Sequence, residues 1–227
     1  MSSQVVNALV ADLEFRFNAF RNDERAIGMS NYMKGKFTFY GIDSKQRRWI
    51  FTDWKKYIKI NEREEFWELI HELWNREQRE FHYAAIDLLL QRKKKEYHRE
   101  DGSELQWLIR NHSWWDTVDL IASNCLGTYC QLFPDEGVEL INEWRDSEYL
   151  WLKRSCLIFQ LKYRQQTDIQ LLKSLIFQCV GEKEFFIQKA IGWSLRQLSK
   201  TDPESVKGIL QEIPLKGVAL REATKYL

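Results

Sequence analysis

Apolar residues recur along this chain at helical rather than strand spacing. Val5, Leu9, Leu13 and Phe17 mark a first helix, since positions three to four apart share one face. A second helix is expected near residues 29–36, ending before FTFYGID. Gly41 and the pair Asp43, Ser44 then supply a turn and an N-cap for SKQRRWIFTDWKKYI, because a short polar side chain can accept from an open first-turn N–H. In EREEFWELIHELW (62–74), Phe66, Leu69, Ile70 and Leu73 form one stripe, the mark of a half-buried helix. REQREFHYAAIDLLLQRKKKEY, SELQWLIRN and HSWWDTVDLIASNCLGTYCQLF follow. Pro134 opens the next helix, DEGVELINEW, at a first-turn position where its missing N–H costs nothing. Five further helical segments complete the chain: EYLWLKRSCLIFQLKYRQ, DIQLLKSLIFQCVG, KEFFIQKAIGWSLRQLS, PESVKGILQEI and ALREATKYL. No segment alternates in the manner of a strand, and there is no linker or low-complexity tract.

The segments repeat. EFHYAAIDLLLQ (80–91), WDTVDLIASNCL (115–126), WLKRSCLIFQLK (151–162) and FFIQKAIGWSLR (185–196) align with a period of 35 residues. Ala84, Asp119, Arg154 and Lys189 share one register in that alignment. A period of this length predicts an all-α fold, an α-solenoid of HEAT-like helical repeats forming one domain over residues 1–227, because a helix pair cannot bury its apolar stripe until a neighbour stacks on it. Equivalent positions then line one concave surface, onto which Asp119, Arg154 and Lys189 are expected to project.

Composition adjusts this picture in a few places. Only 3 prolines and 10 glycines interrupt 227 residues, which suits long helices. Ten tryptophans are a high content, not all of which need be core, and aromatic faces also attract cations and sugar or base rings. The formal charge of +1 does not announce a polyanionic partner, so any phosphate binding must come from a local basic stripe. Cys125, Cys130, Cys156 and Cys179 fit no metal-ligand spacing and read as buried, reduced thiols. His71, His82, His98 and His112 share no spacing and read as surface or structural residues. The run QRKKK (91–95) reads as the solvated end of a helix, with phosphate contact as the less favoured alternative. The N-terminus has no basic region followed by an apolar run, and no stretch reaches membrane-span length, so a soluble, cytoplasmic protein is expected.

Trp115 and Asp119 stand four apart and so face the same way, whereas Trp114 is rotated by about 100° towards the core. Asp116 begins the helix and reads as a capping or dipole residue. Lys189 and Trp193 repeat the spacing of four in the last repeat. Two readings stay open from spacing alone. The tryptophans are core and the charges an inter-repeat salt-bridge ladder, or two aromatic walls flank a charged ligand site.

The motifs SWWDTVD (113–119), WLKRSCLIFQLKY (151–163) and EFFIQKAIGWSLR (184–196) resemble the AlkD family of DNA alkylation-repair glycosylases. The resemblance extends to Tyr32-Met33-Lys34, to ELWNREQREFHYAAIDLL (72–89) and to LREATKYL at the end. It implies a HEAT-like solenoid whose groove cradles double-stranded DNA. The implied activity is hydrolysis of the N-glycosidic bond of cationic N3- and N7-alkylated purines, such as 3-methyladenine and 7-methylguanine, without a cofactor or metal. It assigns the catalytic carboxylate to Asp119, the two sugar-facing tryptophans to Trp115 and Trp193, and the groove arginine to Arg154. Lys162, Lys189 and Arg196 match basic positions that contact phosphates, and Tyr32 matches a tyrosine near the DNA. No lysine takes the place of a Schiff-base nucleophile, Lys189 being the nearest, so monofunctional action by a monomer is expected. The alternatives are a non-catalytic reader of distorted or branched DNA and a protein-binding scaffold.

Overall fold

A computed structural model describes residues 3–60 and 62–227, and among them the regular structure is helical, with a single isolated bridge between Thr38 and Gln78. The fold is all-α and HEAT-like. By its internal contacts the chain groups into two compact units, one up to Arg92 and one from Lys93 to Leu227.

The first unit contains α1 (Gln4–Ala19), α2 (Asp23–Tyr32), α3 (Ser44–Trp54), α4 (Arg63–Trp74) and α5 (Arg79–Leu89). Asp43 caps α3 as its sequence predicts, accepting from Lys45 and Gln46 N–H at 2.9 Å each. The first stripe holds at Leu9, Leu13 and Phe17 and fails only at Val5, whose place Val6 takes. Val6, Leu9, Val10, Leu13 and Phe17 are buried, while Val5 is exposed. The second helix begins earlier than expected, because Asn22 caps it by accepting from Arg25 N–H at 2.8 Å. It buries no residue, so no apolar stripe marked it in the sequence. Its end at Tyr32 is followed by Lys34 and Gly35 with positive φ, a helix-terminating conformation. The buried Glu80 carboxylate accepts from Tyr40, Gly41 and Ile42 N–H and pins the segment before α3 onto α5. Helix α5 stops at Leu89, so the 91–95 run lies beyond the helix end rather than on it.

The second unit contains α6 (Asp101–Arg110), α7 (Trp115–Leu120), α8 (Gly127–Leu132), α9 (Pro134–Arg145), α10 (Leu150–Ile158), α11 (Ile169–Cys179), α12 (Phe185–Leu198), α13 (Pro203–Glu212) and α14 (Gly217–Ala223). A π-helical segment, Ile121–Leu126, joins α7 to α8 without a break. Pro134 occupies the first turn of α9, as expected. The strongly patterned helices stack on one another from repeat to repeat: α7 on α10, α10 on α12, α12 on α14. The intervening helices pack beside them, α9 against α10 and α11 against both α10 and α12. That is the layering of an α-solenoid. Gly192 lets α12 and α14 approach closely, since a Cβ there would lie 2.5 Å from Glu222 Cβ and 2.7 Å from the Ala219 carbonyl oxygen.

The tryptophans divide between two tasks. Trp54, Trp67, Trp74, Trp144 and Trp151 are core, while Trp107, Trp114, Trp115 and Trp193 are half-buried and Trp49 is exposed. The four cysteines are free, three of them buried. Among the described residues no helix is long and apolar enough to cross a membrane.

Candidate active site

Helix α7 is only six residues long and starts without a side-chain cap. Asp116 therefore sits in its first turn as the dipole partner expected of it, and does not act as the cap. Trp114 precedes the helix in extended conformation and packs on Trp151 and Phe186, with ring centroids 5.5 and 5.3 Å away. This holds the start of α7 onto α10 and α12. Trp115 and Asp119, one helical turn apart, are both partly exposed.

Asp119 does not stand alone on that face. Arg154, at the same register in α10, donates from Nε to Asp119 Oδ1 and from Nη2 to Asp119 Oδ2, each at 2.8 Å. Its Nη1 donates to the Phe186 carbonyl at 2.5 Å. One guanidinium thus ties α7, α10 and α12 together. The side chain of Arg154 is 3 % exposed and that of Asp119 15 %. A parallel two-bond pairing of this kind fixes direction as well as distance. Each carboxylate oxygen spends one lone pair on Arg154 and keeps another. Burial pushes the Asp119 carboxyl up from its ordinary value, Arg154 pulls it back part of the way, and Asp116 adds an upward push.

The third member of the register is paired differently. Lys189 Nζ donates to Glu222 Oε1 at 3.0 Å, reaching forward to α14 rather than back to α10. Arg196 donates to the other oxygen of Glu222. The two cations together hold the Glu222 carboxyl below its usual range, Lys189 contributing most. Trp193 lies one turn beyond Lys189 on α12 and is half-buried. Lys162, in the turn after α10, is exposed and donates to Asn124 Oδ1 on the π-helical segment.

The structure therefore brings Asp119 and Arg154 into direct contact, with Trp115 one turn away on α7. It sets Lys189, Trp193 and Arg196 along α12, with Lys189 and Arg196 sharing Glu222 as their counter-ion. Three of the five Arg154 N–H groups are spent on protein acceptors, so contact with a phosphate is left to the other two. Tyr32 lies in the first unit at the end of α2 and is 68 % exposed. Glu222 was not singled out by periodicity, because its offset from Lys189 is 33 residues rather than 35. The acid in LREATKYL was the only local trace of it.

The profile of the family described as DNA alkylation repair enzyme matches residues 13–227 of the chain. Among solved structures, a predicted DNA alkylation repair enzyme from Enterococcus faecalis matches with a TM-score of 0.83 at 35 % identity, covering 91 % of this chain and 96 % of that one. No curated protein matches the chain to a significant degree.

Proposed function

The chain belongs to the family of DNA alkylation repair enzymes, and from that premise we propose that it is a monofunctional DNA glycosylase acting on cationic N3- and N7-alkylated purines in duplex DNA. The observation that carries this reading is a carboxylate, Asp119, held on both oxygens by a buried arginine yet partly open beside Trp115.

A purine alkylated at N3 or N7 is already positively charged, so its departure needs little help from an acid. As the bond between C1′ and the purine nitrogen breaks, the electron pair goes to the ring and neutralises it. Positive charge appears instead on the deoxyribose, in a transition state like that of glycoside hydrolysis. A carboxylate fixed before the reaction begins stabilises that charge without having to reorganise. Water then adds its oxygen to C1′ and gives up a proton, for which the free lone pairs of Asp119 are the acceptor. Arg154 holds the carboxylate's direction and opposes the upward pull of burial on its protonation. Trp115 and Trp193 offer aromatic faces to a sugar that becomes cationic, a contact that strengthens in the transition state.

Lys162 is the cation offered to the phosphate backbone, and Lys189 and Arg196 reach it only by exchanging Glu222 for a phosphate, with Tyr32 as a further contact from the first unit. Lys189 is engaged by Glu222, whereas a Schiff-base nucleophile must be free to attack C1′, so base release without strand cleavage is the expected chemistry. On this reading the protein works as a monomer in the cytoplasm, associated with the nucleoid when bound to DNA, and requires no cofactor.

The same ion pair would serve a non-catalytic reader of distorted DNA equally well as a structural clamp. Release of 7-methylguanine from methylated duplex by the wild type and by Asp119→Asn separates the two. The glycosylase releases base and the variant does not. Absence of release from both, on DNA that is bound, favours the non-catalytic reader.

A further inference from the structure

The π-helical segment Ile121–Leu126 begins two residues after Asp119. A π-turn is wider than an α-turn and breaks the i to i−4 bonding pattern, so it persists only where something else stabilises it, and such turns recur at functional sites. In this protein two side chains bond to carbonyl oxygens at its start. Ser123 Oγ donates to the Asp119 carbonyl oxygen at 2.6 Å. Asn124 Nδ2 donates to the Leu120 carbonyl at 2.8 Å and to Ser123 Oγ at 3.2 Å. Asn124 is held in turn from the next repeat, where Lys162 Nζ donates to its Oδ1.

The segment lies between the Asp119 carboxylate and a closely packed stretch of the same helix. Upstream, Asp119 must point its carboxylate at Arg154. Downstream, Ile121, Ala122, Cys125 and Leu126 are buried, and Gly127 packs so closely on α10 that a Cβ would meet the Phe159 carbonyl oxygen at 2.5 Å. The hinge of the segment is the Asp119 peptide, whose carbonyl Ser123 grips.

We propose that Ser123 and Asn124 are positioning residues for Asp119: they hold the π-turn that sets where its carboxylate points, with Lys162 anchoring them from the neighbouring repeat. This rests on the glycosylase reading for its consequence in rate, but its geometric content does not. Without the Ser123 bond the turn relaxes towards α-helix and the carboxylate shifts against Arg154. An error of this kind is costly because the attacking water and the sugar are aligned on it.

The test uses full-length wild type, Ser123→Ala, Ser123→Thr and Asn124→Ala. Two quantities are followed: single-turnover release of 7-methylguanine from methylated duplex, and titration of the Asp119 carboxyl by carbon-13 NMR. Ser123→Ala and Asn124→Ala are expected to lower the rate by about tenfold or more with unchanged affinity for lesion-free duplex. In both, the Asp119 carboxyl titrates at higher pH as the Arg154 contact loosens. Ser123→Thr keeps a hydroxyl at the same place and restores both quantities. An Asp119 titration identical to wild type in Ser123→Ala overturns the proposal, as does a rate loss explained wholly by a lower folded fraction in thermal unfolding. If the wild type releases no base, the glycosylase reading falls, while the NMR titration still decides whether these two side chains position Asp119.

Discussion

Arg154 and Asp119, 35 residues apart on successive stacked helices, meet through two parallel 2.8 Å hydrogen bonds. Both side chains lie largely out of solvent. The pair is at once the salt-bridge ladder that the 35-residue register allows and the orientation of a carboxylate that a glycosylase requires. Geometry and burial pull in opposite directions here. The bidentate contact favours the ionised carboxylate, and desolvation favours the protonated one, with desolvation the larger effect. A carboxylate held in place but not deeply stabilised can still take a proton from water.

Asp119→Asn keeps the shape of the side chain and removes its charge. Base release is expected to fall by about 10² to 10³-fold, the usual effect of losing one preorganised electrostatic group. Affinity for lesion-free duplex should be largely retained. Single-turnover release assays beside a binding titration check this, and equal activity in the variant would remove Asp119 from the mechanism.

Arg154→Ala leaves a buried carboxylate without its partner. Unfolding free energy should drop by about 3–5 kcal/mol, measurable by denaturant titration. The double variant Asp119→Asn/Arg154→Met leaves no unpaired charge and should recover much of that loss. A variant of Arg154 that binds DNA weakly but unfolds like wild type would mark it as a phosphate contact first.

The raised Asp119 carboxyl has opposite consequences for rate and for stability. Catalysis needs the ionised form, so the acidic limb of the pH–rate profile should lie above the range of an ordinary carboxylate, activity falling as pH falls through the raised value. The contribution of this group to stability runs the other way. It is fully present below the unfolded-state value and is lost as pH rises through the folded one. A pH–rate profile with an inflection in the ordinary carboxylate range would show that Arg154 outweighs burial.

Glu222→Gln removes the counter-ion shared by Lys189 and Arg196. Both cations then become available to phosphates. The slope of log affinity against log salt for duplex DNA should steepen by about 0.9 for each additional phosphate neutralised. An unchanged slope would mean that neither side chain reaches the DNA backbone.

Much of the second unit was legible before folding because its signals are local or periodic. The first turn of α9 is announced by Pro134, and the common facing of Trp115 and Asp119 follows from a spacing of four within one helix. In the first unit the cap at Asp43 was equally plain, while α2 was misplaced because it buries nothing and so leaves no apolar stripe to read.

By itself, then, the chain's sequence determined the helices that carry a repeated stripe, and the shared register of Asp119, Arg154 and Lys189, since both depend on spacing alone. Only the tertiary structure decided how those charges are spent. Arg154 turns back to Asp119, Lys189 turns forward to Glu222, and Ser123 bonds the Asp119 carbonyl at the start of a π-helical segment. Which partner a long cationic side chain takes depends on the acceptors that packing brings within about 3 Å. The acceptor that Lys162 finds in Asn124 comes from the neighbouring repeat in the same way. None of these acceptors is within reach until the repeats are stacked.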